Sequence, residues 1–230
     1  MKIIAHRSGP TSLPEQTVQS ALLAFSEGAD MIEVDTRFTK DGAVAVSHDL
    51  NVSRVFGEDK QVCDMTAAEF RALRHADAPG YCSHLLEDYL KSGVAPILLH
   101  IKESGEKLPI PLELLKKHDY LDKVVFGVQE SADIAVIREV YPAAKVLAFM
   151  RKEENAEEFI AAGADYIRLW EQWMTDERVN TVLSSGKGLW IMANNPELGF
   201  AYSSPEILRK WQAMGVDGVL LNDISPAKEL

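Results

Sequence analysis

Two acidic residues, Glu33 and Asp35, stand two positions apart inside a short apolar run of the sequence. Such a run is typical of a buried strand, and residues two apart on a strand point to the same face. Two carboxylates buried side by side repel each other and need a compensating charge. A hard divalent cation such as Mg2+ or Ca2+, which prefers oxygen ligands, would supply it. A salt bridge with Arg7, Arg37 or Lys102 is the alternative.

Three histidines add acid–base and ligand chemistry to these carboxylates. His6 ends the first apolar run, His48 ends another, and His100 stands two positions before Lys102 on a further run. Of the last two residues, one can complete a metal-ligand set and the other can neutralise a phosphate. A histidine at a strand end is often only a packing residue. Ionisable groups from four strands at one level are nevertheless hard to obtain from packing, which favours branched apolar residues.

The elements that position these groups are short apolar runs bounded by glycine, proline or charge, too continuous for half-exposed strands. They predict eight strands: Lys2 to His6, Met31 to Arg37, Pro96 to Lys102, Lys123 to Gln129, Lys145 to Met150, Tyr166 to Trp170, Gly188 to Asn194, and Gly218 to Asn222. The later strand ends add weaker site candidates, namely Gln129, Arg168, Asn194 and Asn222 with Asp223.

Segments of helical period separate the strands. Val18, Leu22 and Phe25 are spaced for one helix face, and Ser204 with Pro205 predicts a helix start. Alternating strands and helices indicate an α/β protein, and we expect a (β/α)8 TIM barrel in preference to an open sheet.

The alternation of strands and helices is interrupted after the second strand. We expect one domain over residues 1–230, with an insertion at about 43–90 on the C-terminal face of the barrel. Within it, Ala43 to His48 predicts a short strand, Thr66 with Glu69 predicts a capped helix, and Ala76 to Ser83 predicts a loop.

Composition narrows the choice of partners. The formal net charge of −11, without a cluster of lysines and arginines, argues against nucleic acid. An acidic chain repels anionic substrates at long range, so a phosphate site needs a local cation or placed basic groups. No apolar run has the length of a membrane span or of a signal peptide, so we expect no stable membrane insertion and a cytoplasmic protein. The oligomeric state is unknown.

The motifs and their order resemble the glycerophosphodiester phosphodiesterase family. The similarity rests on residues 6–7, 14–17, 28–35, 39–42 and 48–49, and later on residues 86–88, 101–102, 190, 215–218 and 222–223. This resemblance implies a TIM barrel that hydrolyses glycerophosphodiesters to an alcohol and glycerol 3-phosphate with a divalent cation.

The resemblance also implies residue roles, which agree with the chemistry of phosphate-ester hydrolysis. His6 and His48 would be the acid–base pair, in an order that the sequence leaves open. Glu33, Asp35 and His100 would be the metal ligands. The substrate would contact four further residues, namely Arg7, Glu15, Lys102 and Trp190, the last of them facing the glycerol moiety.

Three positions depart from the family pattern. Ser8 stands where members usually have Gly, Gln16 where they have Asn, and His100 where they have a Glu metal ligand. An imidazole in place of a carboxylate removes one negative charge and adds a softer ligand. The metal could then be Mn2+ or Zn2+ instead of Mg2+ or Ca2+, its affinity could fall, or turnover could be lost.

These departures leave two alternatives to hydrolysis. The first is a non-catalytic module that keeps the phosphodiester pocket. The second is a chemistry like that of the related phospholipase D-like lyases, which form a cyclic phosphate from a lipid. The lyase hypothesis would require an apolar lipid-facing surface, which the sequence does not show.

Overall fold

The computed structural model describes residues 1–9 and 12–230. In these ranges the strands are β1 (Lys2–Ala5), β2 (Met31–Phe38), β3 (Val44–Val46), β4 (Arg74–His75), β5 (Ala78–Cys82), β6 (Ile97–Ile101), β7 (Val124–Val128), β8 (Lys145–Ala148), β9 (Tyr166–Trp170), β10 (Gly188–Met192), β11 (Asn194–Asn195), β12 (Gly199–Phe200) and β13 (Val216–Leu221). The α-helices of the same ranges are α1 (Val18–Ser26), α2 (Ser53–Phe56), α3 (Ala67–Ala72), α4 (Leu86–Ser92), α5 (Pro109–Lys117), α6 (Asp133–Val140), α7 (Ala156–Ala161), α8 (Asp176–Ser184) and α9 (Pro205–Ala213).

Eight parallel strands close into a barrel in the order β1, β13, β10, β9, β8, β7, β6, β2. The pairing of β2 with β1 closes the ring through two register pairs, Ile4 with Met31 and Ala5 with Ile32. β8 and β9 are also joined by two register pairs, whereas each of the other neighbouring strands shares four or five. An α-helix follows each barrel strand before the next one begins, except after β13, which a 3-10 helix (Ser225–Glu229) follows, so the predicted TIM barrel is confirmed.

Helix starts follow from local hydrogen bonding. The side chain of Thr17 accepts the Ser20 amide at the start of α1, and Ser204 does the same for Ile207 at the start of α9, where Pro205 is the first helical residue. These caps satisfy amides that have no partner inside the helix, which is why the helices begin there.

Apolar side chains form separate layers inside and outside the ring. The interior layer includes Ile4, Leu98, Leu147, Trp190 and Leu220, all fully buried. Outward-facing strand residues pack against the helices in a larger core. Room for the Trp190 indole requires a glycine on the adjacent strand, because a Cβ at Gly218 would lie 2.9 Å from the ring.

The insertion lies between β2 and α4. β3 extends the β2 edge in antiparallel pairing, and α3 begins with the expected capping box of Thr66 and Glu69. The prediction of a loop at residues 76–83 is wrong, because β4 and β5 form an antiparallel pair there. The insertion has its own small apolar cluster, which includes Val62, Met65 and Phe70.

Among the described residues, no helix has both the length and the apolar character that crossing a membrane requires.

Candidate active site

The ionisable groups of β2 and β6 meet because the two strands are in register. Glu33 and Asp35 project from the same face of β2, and Asp35 is the direct register partner of His100 on β6. Lys102 follows the end of β6. Glu33, Asp35 and His100 are buried, with 1%, 1% and 5% of their surface exposed. Backbone register thus gathers at one point residues that lie more than sixty positions apart in the chain.

The two carboxylates are held by donors from several elements. Asp35 Oδ1 accepts from His100 Nδ1 at 2.8 Å and lies 3.1 Å from Lys102 Nζ, while its Oδ2 accepts from the Gln16 amide at 2.8 Å. Glu33 Oε2 accepts the backbone amide of Arg7 at 2.8 Å. Asp35 therefore forms the salt bridge with Lys102 that was the alternative to a metal site. It also lies in the expected cluster with Glu33 and His100.

The three clustered side chains have the chemistry of a cation site. Glu33, Asp35 and His100 each offer one ligand atom, and these atoms lie within 4.8 Å of one another. Burial, followed by the charge of Asp35, raises the pKa of Glu33. Burial would also raise the pKa of Asp35, but the His100 hydrogen bond and the Lys102 charge hold it well below its usual range. The cluster fits a small divalent cation, whose positive charge would favour the ionised form of Glu33.

His100 is an uncharged member of this cluster. Burial lowers its pKa to about 4, so the ring is neutral near pH 7. Its Nε2 lies 3.1 Å from the amide nitrogen of Gln129, and its ring stacks on Phe149 with centroids 3.8 Å apart. With Nδ1 donating to Asp35, the lone pair of the neutral ring lies on Nε2 and accepts from Gln129, so binding a metal beside the two carboxylates requires the other tautomer, with the lone pair on Nδ1.

Both predicted acid–base histidines lie at this end of the barrel, each anchored through Nδ1. His6 Nδ1 lies 2.7 Å from Asn222 Oδ1, and His48 Nδ1 lies 2.7 Å from Asp49 Oδ1. Each partner oxygen accepts a hydrogen bond, so Nδ1 carries the proton and Nε2 keeps the lone pair. Burial lowers the pKa of both rings.

A cavity of about 320 Å³ opens beside these groups. One group of lining residues comprises the metal-ligand candidates, both histidines and Lys102. The second group comprises Gln129, Phe149, Met150, Arg151, Arg168, Trp170, Met192 and Phe200. The second group is mostly apolar or cationic, which suits an anionic ligand with an organic substituent.

Two predicted substrate residues lie beside the cavity and do not line it. Glu15 accepts from Arg7 Nη1 at 3.3 Å and from Arg54 Nη2 at 2.6 Å, so two arginines already neutralise its carboxylate. The guanidinium carbon of Arg7 lies 6.0 Å from the ring centroid of Phe200. Direct contacts of Arg7 and Glu15 with substrate stay predictions.

Trp190 lies in the interior of the barrel. The residue is fully buried in the barrel interior, against Tyr166 and above Gly218, and it is not among the described residues that line the cavity. Its contact with a glycerol moiety stays a prediction, and the packing it makes is that of a core residue.

Several residues that line the cavity are only weak candidates from the sequence, or are not predicted from it at all. Arg168 and Gln129 were weaker candidates at strand ends, and their position on inward-facing strand sites was the available signal. Trp170 ends β9 two positions after Arg168 and so carried the same signal. Phe200 had none, because it reaches the cavity from the β11–β12 hairpin, where it packs edge-on against His6.

Comparison with known proteins supports the relation to a family. The model of the glycerophosphoryl diester phosphodiesterase family matches residues 6–225. YhdW of Bacillus subtilis, whose name assigns it provisionally to the glycerophosphodiester phosphodiesterases, is 26% identical over 235 residues, or 96% of this chain and 93% of the relative. A lysophospholipase D of Mus musculus is 28% identical over 155 residues, which are 62% of this chain. The match covers 47% of the mouse protein, so this chain spans about half of that relative.

Solved structures share the fold. An Oleispira antarctica phosphodiesterase in complex with its product sn-glycerol-3-phosphate has a TM-score of 0.84 at 19% identity, covering 100% of this chain and 95% of that one. The glycerophosphodiester phosphodiesterase of Thermotoga maritima has a TM-score of 0.75 at 24% identity, covering 96% and 94%. At these identities the likeness shows a common barrel.

Proposed function

The chain belongs to the glycerophosphoryl diester phosphodiesterase family, and from this premise we propose that it hydrolyses glycerophosphodiesters to an alcohol and sn-glycerol 3-phosphate with a bound divalent cation. One observation carries the proposal: two histidines anchored through Nδ1 line the same cavity as the buried cluster of Glu33, Asp35 and His100. Two imidazoles beside a cation site meet the needs of phosphodiester hydrolysis, which are proton transfer and charge compensation.

Glu33, Asp35 and His100 would hold the cation. When bound, a divalent cation compensates the negative charge of the phosphate oxygens. The ligand set has one nitrogen and two carboxylates, whereas Mg2+ and Ca2+ prefer oxygen ligands alone. We propose that the site prefers Mn2+ or Zn2+, because imidazole suits these metals better.

His6 acts as the general base. Its Nδ1–H donates to the neutral amide oxygen of Asn222, and burial lowers its pKa, so the ring rests uncharged with its Nε2 lone pair available to a water molecule.

His48 acts as the general acid. Its Nδ1–H donates to the carboxylate of Asp49, which offsets part of the effect by which burial lowers the pKa of His48 and so favours the imidazolium form that gives a proton to the leaving alkoxide. Lys102, paired with Asp35 on the cavity wall, supplies a positive charge for a non-bridging phosphate oxygen.

Release of sn-glycerol 3-phosphate from glycerophosphocholine and glycerophosphoethanolamine, and from glycerophosphoglycerol, whose alcohol is neutral, tests the activity. EDTA-stripped protein is titrated separately with Mg2+, Ca2+, Mn2+ and Zn2+. We expect Mn2+ or Zn2+ to restore turnover, and His6→Ala and His48→Ala to abolish it. If no metal restores turnover while phosphodiester binding persists, hydrolysis of these substrates is wrong.

A leaving-group comparison tests the two histidine roles. A diester with p-nitrophenol as its alcohol needs no protonation of the leaving group, so it should restore much of the kcat of His48→Ala and little of that of His6→Ala. The reverse pattern would exchange the roles.

A further inference from the structure

Arg168 places a guanidinium in the interior of the barrel at the cavity wall. The residue occupies the middle of β9, two positions before the cavity-lining Trp170, and so projects from the same strand face. Only 3% of its surface is exposed, although it lines the cavity. The mechanism proposed above does not use this positive charge.

Most of the hydrogen-bonding capacity of this guanidinium is unused. Nη2 donates to the Met150 carbonyl at 3.2 Å, but Nε and Nη1 have no partner anywhere in residues 1–9 and 12–230. A buried donor without a partner is costly, and a buried cation more so. Burial accordingly lowers the pKa of Arg168 to about 9, which still leaves the group charged at neutral pH.

Aromatic rings hold the guanidinium in place without satisfying its N–H groups. Its central carbon lies 4.5 Å from the ring centroid of Trp170, 5.1 Å from that of Phe149 and 5.8 Å from that of Trp173. Phe149 also stacks on His100, which joins this wall to the metal-ligand cluster. A planar cation fixed between aromatic faces with two unused donors is arranged to receive a planar or tetrahedral oxyanion.

We propose that Arg168 is an oxyanion-binding residue of this cavity. Two sources of the oxyanion share this chemistry, namely the phosphate of the diester and an acidic group on its alcohol. The inference rests on the proposed function for its substrate class, while oxyanion binding as such depends only on the geometry of Arg168.

The aromatic wall adds a consequence for selectivity. Trp170 and Phe149 are the surfaces on which a quaternary ammonium such as choline would bind, but they already contact a cation. A positively charged alcohol is therefore disfavoured here relative to a neutral or acidic one.

Binding and turnover of Arg168→Met and Arg168→Lys test the proposal, with Arg209→Met on the outer helix α9 as a matched loss of charge. Calorimetry on EDTA-treated protein uses inorganic phosphate and sn-glycerol 3-phosphate as probes. Kinetics on the metal-loaded protein compare diesters whose alcohol is glycerol, choline or glyceric acid. We expect Arg168→Met to weaken binding or lower kcat/KM by about 10- to 100-fold, Arg168→Lys to recover part of the loss, and Arg209→Met to change neither by more than about twofold.

The pattern of the losses distinguishes the two sources. Loss with all three diesters and with inorganic phosphate supports binding of the substrate phosphate. Loss confined to the glyceric acid diester supports binding of an acidic alcohol. Values for Arg168→Met within about twofold of the wild type for every probe and diester overturn the proposal.

Thermal unfolding separates ligand binding from a structural role. Without ligand, Arg168→Met should melt at or above the wild-type temperature, because methionine removes a buried charge with unused donors. A large fall in melting temperature that Arg168→Lys does not repair would show that the guanidinium is structural, and would overturn the proposal. If wild-type protein turns over no diester but still binds phosphate through Arg168, the proposed function fails while this inference stands.

Discussion

The imidazole of His100 and the carboxylate of Asp35 share a hydrogen bond of 2.8 Å, and the two residues are register partners on β6 and β2. His100 thus donates to the candidate ligand Asp35 in one tautomer and is a candidate ligand itself in the other. The resemblance to the family implies a carboxylate at this position, and a histidine in its place leaves two acidic groups, Glu33 and Asp35, to be compensated. Lys102 compensates one of them directly.

His100→Glu should move metal preference towards Mg2+ and Ca2+. A third carboxylate adds charge and a hard oxygen ligand, so we expect the affinity for Mg2+ or Ca2+ to rise by about tenfold or more relative to that for Mn2+. Calorimetric titration of each metal measures this ratio. His100→Gln, which removes the imidazole without adding charge, is the control and should weaken all of these metals. An unchanged ratio in His100→Glu would contradict a ligand role for residue 100.

Asp49→Asn should impair catalysis with little effect on stability. Asp49 accepts the Nδ1–H of His48 and also a hydrogen bond from Arg54 Nε, so an amide in its place loses the charge that favours the imidazolium. We expect kcat/KM to fall by about 10- to 100-fold. Steady-state kinetics and urea unfolding measure the two effects.

Arg54→Gln is the companion variant for this test, because it removes the arginine and leaves the bond between Asp49 and His48 in place. Its loss of kcat/KM should be smaller. If Arg54→Gln were as impaired as Asp49→Asn, the carboxylate charge on His48 would not be the important feature.

Ser8→Gly should destabilise the fold, although the resemblance to the family implies Gly at this position. Ser8 has a φ of +70°, which glycine would adopt with less strain. Its buried hydroxyl, however, lies 2.8 Å from the Tyr89 hydroxyl, which would lose its partner. We expect a net loss of about 1 kcal/mol in the free energy of unfolding, since an unpaired buried hydroxyl costs about 1–3 kcal/mol.

A double-mutant cycle with Tyr89→Phe checks the cause. Removing both hydroxyls should cost less than the sum of the two single changes, with a coupling of about 1 kcal/mol by urea unfolding. Additive losses would mean that the two hydroxyls do not depend on each other.

The metal-free protein should lose stability on acidification, in part through His75 and His84 of the insertion. Both side chains are buried, and burial lowers the pKa of each below 6.5. As pH falls, each of these histidines takes up a proton in the unfolded chain before it does so in the folded chain. The stability that the two neutral histidines contribute is therefore complete above pH 6.5 and is lost as pH falls through their folded-state pKa. The slope is at most about 1.4 kcal/mol per pH unit for each proton.

Melting temperatures in EDTA from pH 7.5 to 4.5 test this expectation. The His75→Gln, His84→Gln double variant should show a shallower fall than the wild type. Glu33, whose raised pKa acts in the opposite direction, is present in both proteins, so the difference in slope isolates the two histidines. Parallel curves would contradict the assignment.

The barrel was predictable because its strands are buried on both faces. Continuous apolar runs marked all eight strands, and each predicted run overlaps an observed one. The hairpin of β4 and β5 was missed because Pro79 and Gly80 are unfavourable in strands. Tertiary contacts overcome that local preference, among them the packing of His75 against Phe56.

The site was predictable only in part, for a related physical reason. Glu33 and Asp35 share a strand, so their common face follows from local geometry. The environment of Arg168 depends on what the neighbouring strands and loops bring to it, namely Phe149, Trp170 and Trp173. No spacing within its own strand distinguishes an arginine with unused donors from one that is paired.

The two short pairings of the ring, β1 with β2 and β8 with β9, divide the barrel into two groups of four strands. Amide hydrogen exchange should therefore report two cooperative units, with the earliest exchange at these boundaries. Glu33 and His100 lie on strands of one unit. Arg168 lies on a strand of the other unit, and His6 directly follows β1, which also belongs to it. Breathing along the two seams would change the distance between the cation site and the oxyanion-binding wall, so a ligand that bridges them should slow exchange at both seams together.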